Sequence, residues 1–171
     1  MSARRKTSRL LVAAGVAIAS SVIGLTTAQT ASASDCTQAS PVTDRQYFRY
    51  QGQEVGFVQL MWFSGTKQVC TWLHINSGFR ANHTGWNITL SNQGQTSSGS
   101  FIVFGPVTRA TNSSAIDFVT DPVSIYATSS ENWSGVFTWA YNSCNYVIGT
   151  TENHNFSNGY TQPNSGDSTP C

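Results

Sequence analysis

From residue 46 to residue 148, apolar and polar side chains alternate in short runs separated by clusters of Gly, Ser, Asn and Thr. A period of two places successive side chains on opposite faces of an extended chain, so the pattern predicts β-strands. The strongest stretch is 55–75. Val-Gly-Phe-Val-Gln-Leu-Met-Trp-Phe leads into Ser64-Gly65-Thr66-Lys67, and Val-Cys-Thr-Trp-Leu-His-Ile follows from residue 69. Two runs of β-branched, aromatic and aliphatic residues around a Gly-containing turn predict a hairpin. With a two- or four-residue connection, Phe63 pairs with Gln68, Met61 with Cys70 and Gln59 with Trp72. One face then carries Val58, Leu60, Trp62, Val69, Leu73 and Ile75, and is the expected core. The other carries Phe57, Gln59, Met61, Cys70, Trp72 and His74. A three- or five-residue connection would pair these sets differently.

Weaker alternation continues along the chain. It predicts strands near 46–50, 83–90, 101–107, 116–119, 122–128, 133–141 and 145–148, with a Ser/Gly/Gln/Asn loop over 91–99. No window after residue 33 has helical periodicity. About seven to nine short strands with frequent turn signals imply an all-β fold, an antiparallel β-sandwich or barrel. The expected organisation is one domain over 34–150, followed by a loop-like tail at 151–171 tied down by Cys171.

The first 33 residues have a different character. Arg4, Arg5, Lys6 and Arg9 precede an Ala/Val/Ile-rich run and then Ala31-Ser32-Ala33. That order is a secretory signal peptide, so the expected product is secreted and, once the signal is removed, has no membrane segment. The leader also distorts the charge balance. It holds four of the nine basic residues, leaving five against eight acids, a formal −3. A charge-poor, mildly acidic surface argues against a nucleic-acid partner, which would require a basic patch. Abundant aromatic and β-branched residues exclude the disordered class.

Cysteines add a constraint. Cys36, Cys70, Cys144 and Cys171 all follow the leader, and an even count in an exported chain implies two disulfides. Cys36–Cys70 with Cys144–Cys171 joins neighbours in chain order and staples each end. Cys70–Cys144 with Cys36–Cys171 would instead cross-link two strands and tie the ends together. No C-x-x-C spacing occurs and the three histidines stand apart, so no metal site or cofactor is expected.

Catalytic signatures do not emerge. Gly-x-Ser-x-Gly, His-Glu-x-x-His and a Gly-rich phosphate loop are all missing from the sequence. His74 with Asp117 or Asp121 permits a triad on paper. Asp117, Asp121, Glu131 and Glu152 are the acids from which a glycosidase pair could be drawn, at about 5–10 Å separation. His83 and His154 read as solvated turn residues. No catalytic residue is assigned.

The five tryptophans carry more information. Indoles flanked by amides are suited to sugar rings, the ring covering the apolar face and the amides bonding hydroxyls. Trp72, with His74 and Gln59 beside it, forms one candidate platform. Trp133, next to a turn, forms another. The competing reading is that these indoles fill the core.

Two stretches resemble small secreted actinobacterial proteins of the spore-associated protein A type. One is Gly56-Phe57-Val58-Gln59-Leu60-Met61-Trp62 with Val69-Cys70-Thr71-Trp72-Leu73. The other is Asp121-Pro122-Val123-Ser124-Ile125-Tyr126-Ala127 with Trp133-Ser134-Gly135. Where that group has a cysteine before its Trp-Gly-Gly, this chain has Glu131-Asn132. The resemblance implies export and a place at an actinobacterial cell or spore surface, and carries no chemistry. The combined expectation is a secreted, non-catalytic β-protein that binds a cell-wall or other glycan, or sits at a surface. The alternative is a small secreted polysaccharide hydrolase.

Overall fold

A computed structural model describes residues 33–110, 115–127, 130–142, 144–150, 152–159 and 161–163. The signal segment and Cys171 lie outside these described residues. The strands are β1 (Ser40–Pro41), β2 (Gln46–Tyr50), β3 (Gln53–Phe63), β4 (Gln68–Ile75), β5 (Asn87–Thr96) and β6 (Phe101–Ala110), then β7 (Asp117–Val119), β8 (Val123–Ser124), β9 (Ser130–Tyr141), β10 (Cys144–Gly149), β11 (Glu152–Asn155) and β12 (Thr161–Pro163). A short helix, α1 (Ser77–Asn82), sits between β4 and β5, and a 3-10 turn covers Ala33–Gln38. The strands form two antiparallel sheets. One has the order β1-β3-β4-β7, with β2 also on β3 and β8 also on β4. The other has the order β12-β11-β9-β5-β6, with β10 also on β9. The result is a sandwich; the sheets do not close into a barrel.

The hairpin pairs as its alternation dictates, Phe63 with Gln68, Met61 with Cys70 and Gln59 with Trp72. A two-residue turn precedes it. Gln51 and Gly52 both have positive φ, the type I′ geometry that matches strand twist, and Tyr50 pairs with Gln53 across it. The core lies between the sheets. Phe48, Val58, Leu73 and Ile75 from the first sheet meet Ile88, Leu90, Phe137, Trp139 and Ile148 from the second, with Phe79 and Trp86 closing one end. Leu60, Val69 and Trp133 continue it toward the other end.

Several elements differ from the sequence pattern, each for a local reason. Residues 77–82 are helical, anchored by the Arg80 amide donating to the Asn76 carbonyl and by burial of Phe79. One buried apolar residue in six cannot generate a helical period. Strand β5 runs on through Ser91–Thr96, where Asn92 and Gly94 face the core. Its polar composition resembled a loop because the inward positions are an amide and a glycine. Residues 122–128 shrink to the two-residue β8, since the Ala127 amide turns back to Ser124. Within the tail, β11 pairs with β9 and β12 with β11. His154 belongs to β11 rather than a turn, and His83 stacks on Phe79 at 4.0 Å.

Polar side chains also cross the core. Thr71 donates its hydroxyl to Asn92 Oδ1 at 2.8 Å, and Thr120 donates to the same oxygen at 3.0 Å. Thr120 Oγ1 accepts the Thr71 amide at 2.9 Å, and Asn92 Nδ2 donates to the Asp121 carbonyl. All three side chains are fully buried, so their mutual satisfaction is what makes the burial tolerable. The sheets approach closely here. A Cβ on Gly135 would sit 2.5 Å from Thr71 Cγ2 and 3.1 Å from Thr150 Cγ2.

One disulfide joins Cys36 to Cys70, across a sequence separation of 34. This excludes the pairing of Cys70 with Cys144. The expected Cys144–Cys171 bond involves a residue outside the described ones. A buried disulfide in mid-strand fits an oxidising compartment, and among the described residues no helix is long and apolar enough to cross a membrane.

Two variants test this framework. Gly135→Ala should cost about 1–3 kcal/mol through overpacking, read as a lower urea midpoint with an unchanged slope. Replacing Cys36 and Cys70 together by alanine should cost about 4 kcal/mol on loop-closure entropy, measured the same way; a loss near zero would show that the bond constrains nothing.

Candidate functional site: the outer face of the first sheet

The outward face of β3 and β4 is divided in two. Near the hairpin turn, Met61 and Cys70 lie under the 3-10 turn, where Cys36, Ala39, Phe63 and Val119 pack with them. The disulfide pins that cover in place. Beyond it the face stays open.

The open part is built from cross-strand rows. Tyr47 pairs with Phe57, Phe57 with His74, and His74 with Asp117, one residue each from β2, β3, β4 and β7. Adjacent strands are spaced by about 4.8 Å, so the row spans about 14 Å. Two positions along, Gln59, Trp72 and Val119 form the next row. Residues two apart share a face, which is why aromatic side chains from both rows meet. Phe57 lies edge-on to Trp72 at 5.0 Å and stacks with His74 at 5.3 Å, while Tyr47 meets Phe57 edge-on at 5.9 Å. The Arg45 guanidinium lies over Phe57, its Cζ 4.2 Å from the ring centre and 5.9 Å from that of Trp72. Phe57 is therefore the buried floor. Tyr47, at 47% exposure, and the half-buried Trp72 and His74 are the accessible rings.

Asp117 organises the polar side. Its Oδ1 accepts the Trp72 indole N–H at 2.8 Å and faces His74 Nδ1 at 2.8 Å. A carboxylate oxygen only accepts, so Nδ1 carries the proton of this hydrogen bond and Nε2 is the ring's other polar atom. Both donors converge on one oxygen, and Oδ2 has no partner among the described residues. The side chains of His74 and Asp117 are 26% and 43% exposed, so the pair works in partial contact with water. Gly56, directly before Phe57, permits this geometry. A Cβ there would land on the His74 carbonyl oxygen, forcing β3 and β4 apart beneath the row.

The candidate residues separate accordingly. Trp72 and His74 stand together on the open face, and the paper pairing of His74 with Asp117 is a hydrogen bond. Asp121 is elsewhere, its carbonyl receiving Asn92. Gln59 shares the face but is 7% exposed, and its Nε2 donates to the Thr43 carbonyl at 2.8 Å. It fastens the lead-in segment to β3 and offers no amide to a ligand. Trp133 is 1% exposed and packs against Phe104 between the sheets, because β9 begins three residues before it and turns its side chain inward. Phe57 is on this face in the sequence pattern but not among the candidate residues, and Tyr47 and Arg45 are not singled out by it. The alternation at 46–50 already placed Tyr47 opposite Phe48, but which strand β2 joins is set by the two-residue turn. Among the described residues, no group of three or more His, Cys, Asp or Glu side chains converges as a metal site would require.

Neither family models, curated proteins nor solved structures give a match to this chain.

The burial pattern yields a direct test. Trp86, Trp133 and Trp139 are buried, whereas Trp62 and Trp72 are partly exposed. Iodide should therefore quench only part of the tryptophan emission. Trp62→Phe and Trp72→Phe should each remove a share of the quenchable fraction, and the double variant should remove nearly all of it. Strong residual quenching in the double variant would place one of the other indoles at the surface.

Proposed function

We propose that this chain is a non-catalytic binding module of the extracellular space, and that the open strip holds a glycan of a cell wall or other polysaccharide. One observation carries the reading: an accessible tyrosine, indole and imidazole on two neighbouring cross-strand rows, bounded by a carboxylate with a spare oxygen. Aromatic faces cover the apolar C–H surface of a sugar ring. Asp117 Oδ2 accepts from sugar hydroxyls, and His74 Nε2 offers a second polar contact beside it. The row is made of strands, so it is held ready and loses little freedom on binding. An open face buries less of a ligand than a cleft does. Affinity for a single ring is accordingly weak, and tight retention comes from several modules engaging one polymer.

A buried disulfide and a secretory-type leader support export, and the resemblance to spore-associated proteins supports a place at an actinobacterial surface. The alternative of a small polysaccharide hydrolase would use Asp117, which is exposed and hydrogen-bonded to an imidazole, as one of its acids.

The test is retention on a panel of insoluble polysaccharides and whole cell walls. The protein should be retained on at least one, and Trp72→Ala or Asp117→Ala should abolish retention. Val147→Ser, on the outer face of the second sheet, should leave it unchanged. No retention on any glycan would sink the reading. Release of reducing sugar that stops with Asp117→Asn would favour the hydrolase.

A further inference from the structure

We infer that the ligand of this strip is an acidic glycan, and that Arg45 is the residue that reads its carboxylate. The inference rests on the glycan reading above and adds the chemical class of the sugar.

The open face carries the charged side chains of Asp117 and Arg45. Asp117 is already hydrogen-bonded, since the Trp72 indole and His74 Nδ1 both meet its Oδ1. Arg45 is not. Its guanidinium lies over Phe57 and near Trp72, and among the described residues no carboxylate or carbonyl accepts from it. Among the described residues, this cation in the middle of the strip meets aromatic rings alone.

That arrangement has a functional consequence. Stacking on a ring occupies the face of a guanidinium and leaves the N–H donors at its rim. A flexible, exposed arginine must be ordered before it can bind. Here the contact with Phe57 orders it beforehand, which lowers the entropic cost of capture. The rim presents a planar fork that matches a carboxylate with two parallel hydrogen bonds. A neutral hydroxyl uses one of those donors and none of the charge.

Position strengthens the assignment. Arg45 lies 4.2 Å over the floor ring and within reach of Trp72, so a sugar resting on Trp72 or Tyr47 places its ring substituents beside the guanidinium. Asp117 lies against the indole N–H edge of Trp72. A uronate-type residue satisfies both groups, with its carboxylate on Arg45 and its hydroxyls on Asp117. A uniformly anionic ligand would meet repulsion from Asp117, and a neutral one would leave Arg45 without a partner. The structure therefore favours a sugar polymer with one carboxylate per one or two rings.

Matched polymers test this. Polygalacturonate, alginate and hyaluronan are each compared with their carboxyl-esterified forms, using calorimetry or affinity electrophoresis. The wild-type protein should bind at least one acidic form about tenfold or more tightly than its ester, the scale expected for hydrogen bonds to a charged group. Raising the salt should narrow the difference. Arg45→Gln should abolish the preference while keeping residual binding, and Arg45→Lys should restore part of it. Trp72→Ala should weaken acid and ester alike. Unchanged thermal midpoints in the Arg45 variants would show that the fold is intact. Equal binding of acid and ester in all three pairs would overturn the role of Arg45 while leaving a Trp72-dependent glycan site standing. Absence of binding to every acidic polymer, with retention on a neutral polysaccharide, would also overturn it. Failure on all glycans would remove the site itself.

Discussion

The carboxamide of Asn92 is the constraint on which the two sheets depend. It sits between them, receiving hydroxyls from Thr71 and Thr120 and donating to the Asp121 carbonyl. A buried amide short of a partner costs more than its satisfied bonds contribute, so the sheets can lie only where all these groups meet. The close approach at Gly135 follows from that spacing. So does the site. Thr71 points inward and its neighbour Trp72 outward, so fixing one fixes the other. The Thr120 amide also donates to the Thr71 carbonyl and the Thr71 amide to the Thr120 hydroxyl, which sets β7 against β4 and brings Asp117 opposite His74. An interior polar network thereby positions the surface chemistry on the other side of the same strand.

The outer face shows a second division of labour. Left bare, β3 and β4 would expose Met61, Phe63, Phe57 and Trp72 on one flat surface, an apolar area of the kind that associates non-specifically. The 3-10 turn and its disulfide cover the part near the hairpin end. The remainder is moderated by polar groups, with Arg45 over Phe57 and Asp117 bonded to Trp72. What remains accessible is chemically mixed, aromatic in the middle and polar at its flank.

The sequence made the hairpin legible because both of its faces are strongly patterned and its four-residue turn contains Gly65. That narrowed the register to alternatives set by the length of the connection, and the observed pairing of Phe63 with Gln68 selects the one that puts Trp72 and His74 together. Cys36–Cys70 was legible only as one pairing among alternatives. Other features depend on long-range geometry. Asp117 reaches His74 from 43 residues away, and no local pattern records that a three-residue strand will dock there. Alternation puts Gln59 on the candidate face only once the register is assumed, and the Thr43 carbonyl that claims its amide belongs to an irregular segment that no pattern reports. Trp133 was placed beside a turn, but β9 starts earlier than its apolar run because Ser130 and Asn132 pair with the amide-rich end of β5. Polar strands are the weak point of pattern reading, since hydrogen-bonded backbone needs no apolar side chains to persist.

The cross-strand row also determines which changes in chain length the protein can absorb. Tyr47, Phe57 and His74 are linked by two tight hairpins, the turn at 51–52 and the turn at 64–67. One residue inserted or deleted in the second would bring Leu73 out to the surface and turn His74 inward, unless a bulge absorbed it. Asp117 arrives by a different route. Between His74 and Asp117 the chain leaves the sheet, builds β5 and β6 in the other sheet and returns, held at the end by Thr120. Residues added at the exposed 97–100 turn of that excursion would leave the row untouched. Related chains should therefore vary freely in length at 97–100 and hardly at all at 64–67.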